Sequence, residues 1–197
     1  MTDTELLLMR TPSPLGRLEL VADSTHLLSL TIETAGRLPH DGHPETPSAL
    51  LEDALTQLAE YFTHSRTVFE LPTRFDNGTP FQHSVWHRLA EVPHGAATSY
   101  GAVATAIGRP GAGRSIGRAV AANPLPIIVG CHRVLSSTGE IIGYSQGSGV
   151  PTKAWLLTHE RIAFTIRAQY DPLDLVNQVL GDLVQTSGRR EAERSAS

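Results

Sequence analysis

Apolar and polar positions alternate at the start of the chain as they do in short strands. Leu6 to Met9, Leu18-Glu19-Leu20-Val21-Ala22 and Leu27 to Ile32 carry that alternation, and Thr11-Pro12-Ser13-Pro14-Leu15-Gly16 reads as a turn-rich connection. Together they predict a small antiparallel sheet. Residues 36–47, rich in Gly, Pro and His, predict a loop or linker. At Ser48 the period lengthens to that of a helix. Ser48 can cap, Glu52 and Asp53 suit a first turn, and Leu51, Leu55, Leu58, Ala59 and Phe62 share one face up to residue 62. Val68 to Leu71 reads as another short strand, and Thr73 to Pro80, with Asp76-Asn77-Gly78 inside it, as a linker.

From Thr79 the pattern turns helical. Thr79 and Pro80 open a helix whose apolar face is Phe81, Val85, Trp86 and Leu89, and Pro93-His94-Gly95 ends it. Thr98-Ser99-Tyr100-Gly101 starts a second helix, carrying Val103, Ala104 and Ile107, which stops at Gly108-Arg109-Pro110-Gly111. Arg114 to Ala122 is a third. Two short helices joined by a Gly/Pro turn match a helix-turn-helix, although a plain helical core gives the same pattern. Ile127 to Val129 is a buried apolar run, Val134-Leu135 continues as a strand after Cys131, and Ile141-Ile142-Gly143-Tyr144 returns. Ser145 to Gly149 is a Gly-rich loop, and Pro151 opens a helix through His159-Glu160. Arg161 to Tyr170 suits a short strand; Leu173, Val176, Leu180 and Leu183 suit an amphipathic helix, followed by a disordered tail. The division expected is 1–78 for a sheet-and-helix domain, 79–170 for a helical domain and 171–197 for a C-terminal extension.

Composition narrows the class. The chain has 197 residues, 40% hydrophobic and 18% charged, as in an ordinary globular protein. No run approaches a membrane span or a signal peptide. A single cysteine excludes an intrachain disulfide framework and fits a reducing, cytoplasmic compartment. His26, His40 and His43 lack the spacing of metal ligands and read as solvated loop histidines, so neither a metal nor a cofactor is expected. The net charge of −4 argues against nucleic acid until it is mapped. Between Phe81 and Glu160, six basic residues (Arg88, Arg109, Arg114, Arg118, Arg133 and Lys153) face only Glu91, Glu140 and Glu160. That polarity lets one part meet phosphates.

The chemistry concentrates where the apolar run ends, at Gly130-Cys131-His132-Arg133-Val134. A thiol becomes a nucleophile as the thiolate, and a neighbouring imidazole or cation is the usual means of lowering its pKa. A free cysteine is also often a buried small hydrophobe, and only its setting distinguishes the two.

Several stretches, in order, give that setting: Thr98-Ser99-Tyr100-Gly101, the Arg114 helix, Asn123-Pro124-Leu125-Pro126-Ile127, Cys131-His132-Arg133-Val134, Gly143-Tyr144 and Lys153-Ala154-Trp155-Leu156-Leu157-Thr158-His159-Glu160. In these the chain resembles the O6-alkylguanine-DNA alkyltransferases, strongly from about Thr79 to Glu160 and loosely over the first 75 residues. The resemblance implies an α/β (α+β) fold, with an N-terminal ribonuclease-H-like sheet-and-helix domain and a C-terminal helix-turn-helix (winged-helix-like) alkyltransferase domain. It also implies DNA repair by stoichiometric transfer of an alkyl group from O6 of guanine, or O4 of thymine, to Cys131. The partner is then double-stranded DNA, acted on by a monomer, with the damaged nucleotide flipped out of the helix.

By the same resemblance, His132 takes the thiol proton through a bound water and Glu160 holds the imidazole. Tyr100 presses on a phosphate and donates to N3 of the leaving guanine, while Asn123 braces the turn before the cysteine. Arg114 fills the space of the flipped base; Ser99, Ala119, Ala122 and Arg133 join it on the DNA side. Pro126, Val134, Tyr144, Ser145, Gln146 and Lys153 belong to the substrate pocket.

The sequence departs from the family pattern at two places. Gly130 stands where a proline normally precedes the cysteine, which loosens a strand end and adds a donor near the sulfur. The loop Ser145 to Thr152 is about two residues longer, with Gln146 where a glycine is expected. These changes suit a roomier pocket for bulkier adducts, an altered substrate or slower transfer. Two other readings stay open at this point: a protein that flips and flags lesions without repairing them, and a thiol acceptor for a small alkylating molecule.

Overall fold

The computed structural model describes residues 7–166. Strands β1 (Leu7–Ser13), β2 (Gly16–Ala22) and β3 (Leu27–Ile32) form an antiparallel sheet in the order β1-β2-β3. The first hairpin is tight, pairing Ser13 with Gly16, so β1 runs through the stretch expected to be a turn. Pro12 and Pro14 are tolerated there because β1 is an edge strand. Leu18, Leu20, Leu30 and Ile32 turn inward onto α1 (Ala49–Phe62), which Ser48 caps by accepting from the Leu51 N–H. Loop 36–47 is largely exposed, as expected, but it is also held: the Arg10 side chain bonds the His40 and His43 carbonyls, and His40 Nδ1 lies 2.8 Å from Glu19 Oε1.

The buried face of α1 is Leu51, Ala54, Gln57, Leu58 and Tyr61; Ala59, expected inside, is exposed. Val68 to Leu71 is not a strand. It is irregular chain, bent at Thr67 and Val68 with Val68 exposed, and tied to the sheet further on by a bridge between Leu27 and Thr73.

Helix α2 (Pro80–Ala90) begins with a full capping box between Thr79 and Gln82. The Trp86 indole N–H donates to the Ala119 carbonyl at 2.7 Å, pinning α2 to α4 (Gly113–Ala121); α3 (Tyr100–Ala106) packs between them in sequence. Two-residue strands β4 (Thr98–Ser99) and β5 (Val134–Leu135) pair in parallel and fix the start of α3 to the segment after the cysteine. Helix α5 (Val150–His159) closes the core with Leu156 and Leu157 fully buried. Ile127 to Val129 is a turn and not a strand, with Ile127 at φ 73°. Ile141 to Tyr144 forms no strand; Glu140 makes one bridge to Thr165, within the stretch expected to add a strand. The expected C-terminal helix and tail lie outside the described residues.

No helix among the described residues is long and apolar enough to cross a membrane.

Candidate active site

The segment after α4 is shaped by one asparagine. Asn123 Nδ2 donates to the Val129 carbonyl at 3.0 Å, and its Oδ1 accepts from the Leu125 N–H at 3.1 Å. This is the bracing expected of it, and it lets the chain turn at Ile127 without stranding backbone groups. The Pro124 carbonyl accepts from the Leu30 N–H at 2.9 Å, so β3 supports the same turn. The turn delivers Cys131 at the head of a single 3-10 turn, Cys131–Arg133.

Behind the sulfur the charged groups are paired. His132 Nε2 donates to Glu160 Oε1 at 2.8 Å, and both side chains are completely buried. Arg133 Nε and Nη2 donate to the two carboxylate oxygens at 2.8 Å each, and its Nη1 donates to the Val92 carbonyl at 2.6 Å. Tyr61 Oη adds a bond to Glu160 Oε1 at 2.9 Å. Burial works to raise the Glu160 pKa, but the bonds from His132 and Arg133 outweigh it and hold the carboxyl well below the usual range. Arg133 was expected on the DNA side; it is 5% exposed, and its guanidinium is committed to the carboxylate.

Gly130 leaves room for that placement. A Cβ at residue 130 would lie 2.7 Å from Arg133 Cδ and Nη1 and 2.9 Å from Nε. Gly130 is no loosened strand end: its φ of −67° would suit a proline, and its carbonyl accepts from the Arg133 N–H at 3.0 Å.

The sulfur is not acidified at rest. Burial pushes the Cys131 thiol up, and this exceeds the opposing effects of Tyr144, Asn123 and the Lys153 charge. Burial likewise lowers His132 against the pull of Glu160, so imidazole and thiol are both neutral near pH 7. The imidazole does not lower the thiol pKa at rest; its Nε2 is turned to Glu160, the residue expected to hold it. Its other nitrogen, Nδ1, is buried and has no protein hydrogen-bond partner. Lys153 is buried too, its ammonium donating to the Val134 carbonyl at 2.5 Å, and burial lowers its pKa to about 8.

In front of the sulfur lies a cleft of about 680 Å³. Tyr100, Arg114, Gly117 and Ala121 wall one side, and Ile142 to Ser145 the other. Arg114 is exposed on α4, whereas Ala119, expected to face DNA, is buried against α2; Ala122 is exposed just past the helix. Ser99 caps α3 through its hydroxyl, accepting from the Ala102 N–H. Cys131 is not part of the cleft wall. It is fully buried, and the Tyr144 hydroxyl, reaching in from the cleft, lies 3.5 Å from Sγ.

Of the other expected pocket residues, Ser145 lines the cleft and bonds the Ala121 carbonyl at 2.7 Å. Gln146 turns away to the Asn123 carbonyl at 3.3 Å, and Pro126, Val134 and Lys153 lie in the interior beneath. The long loop is docked on the sheet. At Gly147, φ 55°, a Cβ would lie 2.6 Å from Thr152 Oγ1 and 2.9 Å from Ile32 Cγ2. Sequence reasoning missed Tyr61, yet Leu51, Ala54, Leu58 and Tyr61 recur at helical spacing, which would have placed it on the inner face.

A buried cysteine next to a His–Glu pair, with a cleft in front of it, is the arrangement of a protein that acts through a thiol. Comparison with known proteins narrows the class. The model of the 6-O-methylguanine DNA methyltransferase DNA-binding domain matches residues 80–162, and that of its ribonuclease-like domain matches residues 8–75. The constitutive methylated-DNA–protein-cysteine methyltransferase of Bacillus subtilis is 38% identical over 158 residues, covering 77% of this chain and 93% of that protein. The crystal structure of Mycobacterium tuberculosis O6-methylguanine methyltransferase superposes with a TM-score of 0.70 at 35% identity, over 79% of this chain and 93% of that one. A structure of M. tuberculosis OGT in complex with DNA matches with the same TM-score at 36% identity, over 78% and 92%. The chain belongs to the methylated-DNA–protein-cysteine methyltransferase family.

Proposed function

We propose that this protein repairs DNA by direct, stoichiometric transfer of an alkyl group from O6 of guanine to Cys131. The observation that carries this reading is the buried Cys131 beside the Glu160-bound His132, next to the cleft walled by Tyr100 and Arg114. Double-stranded DNA is the partner, met by the α4 side. Arg114 takes the place of the extruded nucleotide, and the flipped base enters between Tyr100 and the Ile142–Ser145 wall. The alkyl carbon then occupies the position beside Sγ that the Tyr144 hydroxyl now holds.

Transfer is an in-line displacement. The S–C bond forms as the C–O6 bond breaks, and the guanine leaves with the bonding pair. The thiol proton passes to Nδ1 of His132, directly or through one water, while Glu160 stabilises the imidazolium that results. Burial, and after it the negative charge of the thiolate, raises the Tyr100 pKa, so its hydroxyl stays protonated and can donate to N3 of the departing base. The thioether product is not displaced again, so each molecule acts once. The lone free thiol suits a reducing compartment, and we place the protein in the cytoplasm.

Incubation with an O6-methylguanine duplex should add the mass of one methyl group to Cys131. An unchanged intact mass with this duplex and with larger O6 adducts would count against transfer.

A further inference from the structure

Three donors converge on one oxygen of the carboxylate that steadies His132. His132 Nε2 and Arg133 Nη2 each lie 2.8 Å from Glu160 Oε1 and come from the cysteine's own turn. The third, Tyr61 Oη at 2.9 Å, comes from α1, 99 residues away in sequence. We propose that Tyr61 is a positioning residue for alkyl transfer: its hydroxyl fixes Glu160 and takes up part of the charge that the carboxylate otherwise offers to His132. The proposal deepens the function proposed above and rests on it.

The hydroxyl is held from several sides. Tyr61 is 1% exposed; its carbonyl lies 2.9 Å from His159 Nε2, and its ring packs against His159, Phe62 and Phe69 with centroids 4.8, 5.3 and 5.5 Å away. Burial, and then the charge of Glu160, keeps it protonated and therefore a donor.

A carboxylate offers roughly four lone-pair sites. Here it receives those three bonds, a second from Arg133 at Oε2 and a longer one from the Gly95 N–H at 3.4 Å. In so crowded a shell each donor weakens the oxygen as a partner for the others. The groups bearing on the His132 ring are Glu160, which favours its charge, and Arg133 and Lys153, which oppose it. Around Tyr61 stand His159 and His94, the latter edge-on at 6.1 Å. By drawing on Oε1, Tyr61 adds to the opposing side and helps keep the imidazole free to receive the thiol proton. The N-terminal region thereby bears on the chemistry through Glu160.

Tyr61→Phe removes the hydroxyl and keeps the ring, and a thermal melt checks that the variant folds. Protonation of the His132 ring, followed by 15N-histidine NMR and assigned by its loss in His132→Gln, should move to higher pH. The acid limb of the single-turnover rate on an O6-methylguanine duplex should move the same way, with the plateau rate falling up to about tenfold. An unshifted ring titration with an equal rate loss at every pH would overturn the proposal and leave Tyr61 as packing. A wild-type protein that transfers nothing would sink the function proposed above, while the ring titration would still judge Tyr61.

Discussion

The two sides of Cys131 are built on opposite principles. Behind it, Glu160, His132, Arg133 and Tyr61 are buried and bonded to one another across three parts of the chain. In front, Arg114 and Ile142 face solvent, and the wall from Ile142 to Ser145 is irregular chain with Gly143 in it. The back holds its charges in low dielectric, where a paired network is rigid and an unpaired group is costly. The front carries few internal bonds and offers a cation and a half-buried tyrosine to whatever enters. The groups that receive a proton are thus preorganised, and those that recognise the substrate are left for it to complete. The sulfur sits at the seam as a neutral, buried thiol, protected until the cleft is filled.

The contrast breaks most severely at Glu160. Glu160→Gln leaves the Arg133 guanidinium buried without its counter-charge and should destabilise the fold by about 3–5 kcal/mol while stopping transfer. The loss should shrink in acid. The folded carboxyl lies below its ordinary value of 4.5, so its stabilisation is complete above that pH and drains away as the pH falls through the lowered folded value. Urea unfolding between pH 7 and pH 3 should therefore show the wild type losing its advantage over the variant below about pH 4.5. A gap independent of pH would mean that the carboxylate is not held as its bonds indicate.

At the front, Arg114→Ala should leave the melting temperature nearly unchanged, since an exposed helix arginine contributes within about 0.5 kcal/mol. Transfer from duplex DNA should slow by about 10- to 100-fold, or roughly 1.4–2.7 kcal/mol of barrier. Transfer from free O6-benzylguanine, which needs no flipping, should stay close to the wild-type rate. Equal slowing on both substrates would move Arg114 from the recognising side to the supporting one.

How much of this was legible in the sequence follows the same division. Local signals were read correctly: Ser48 and Thr79 cap their helices, and β2 and β3 stand where alternation placed them. The adjacency of Cys131 and His132 was plain; that the imidazole turns to Glu160, 28 residues further on, came from the family resemblance and from no local pattern. Arg133 was placed on the DNA side with Arg114; three long-range bonds hold it inside instead, where the absence of a Cβ at Gly130 leaves it room. Ile127 to Val129 has the composition of a strand, and a side-chain amide four residues before it decides otherwise. Tyr61 escaped because the helix face was drawn through Leu55 and Ala59, one step round from the stripe that is buried.

The last expected effect, the one whose sign is in contest, concerns the residue that joins the two sides. Gly130→Pro installs the residue that the resemblance led one to expect before the cysteine, and the backbone there, at φ −67°, already accepts it. Two outcomes of opposite sign compete. If Arg133 could swing aside freely, the proline would stabilise the fold by about 0.4–1 kcal/mol, because it restricts the unfolded chain. Arg133 is instead held by three bonds, and its Cδ and Nη1 lie 2.7 Å from where the new Cβ would stand. Either those bonds stretch or the turn bearing Cys131 shifts, so the variant should lose about 1–3 kcal/mol, the usual cost of overpacking. Urea unfolding at pH 7 reads the sign directly. A gain in stability would show that the pairing behind the sulfur does not depend on glycine, and the back of the site would then be less rigid than its bonds imply.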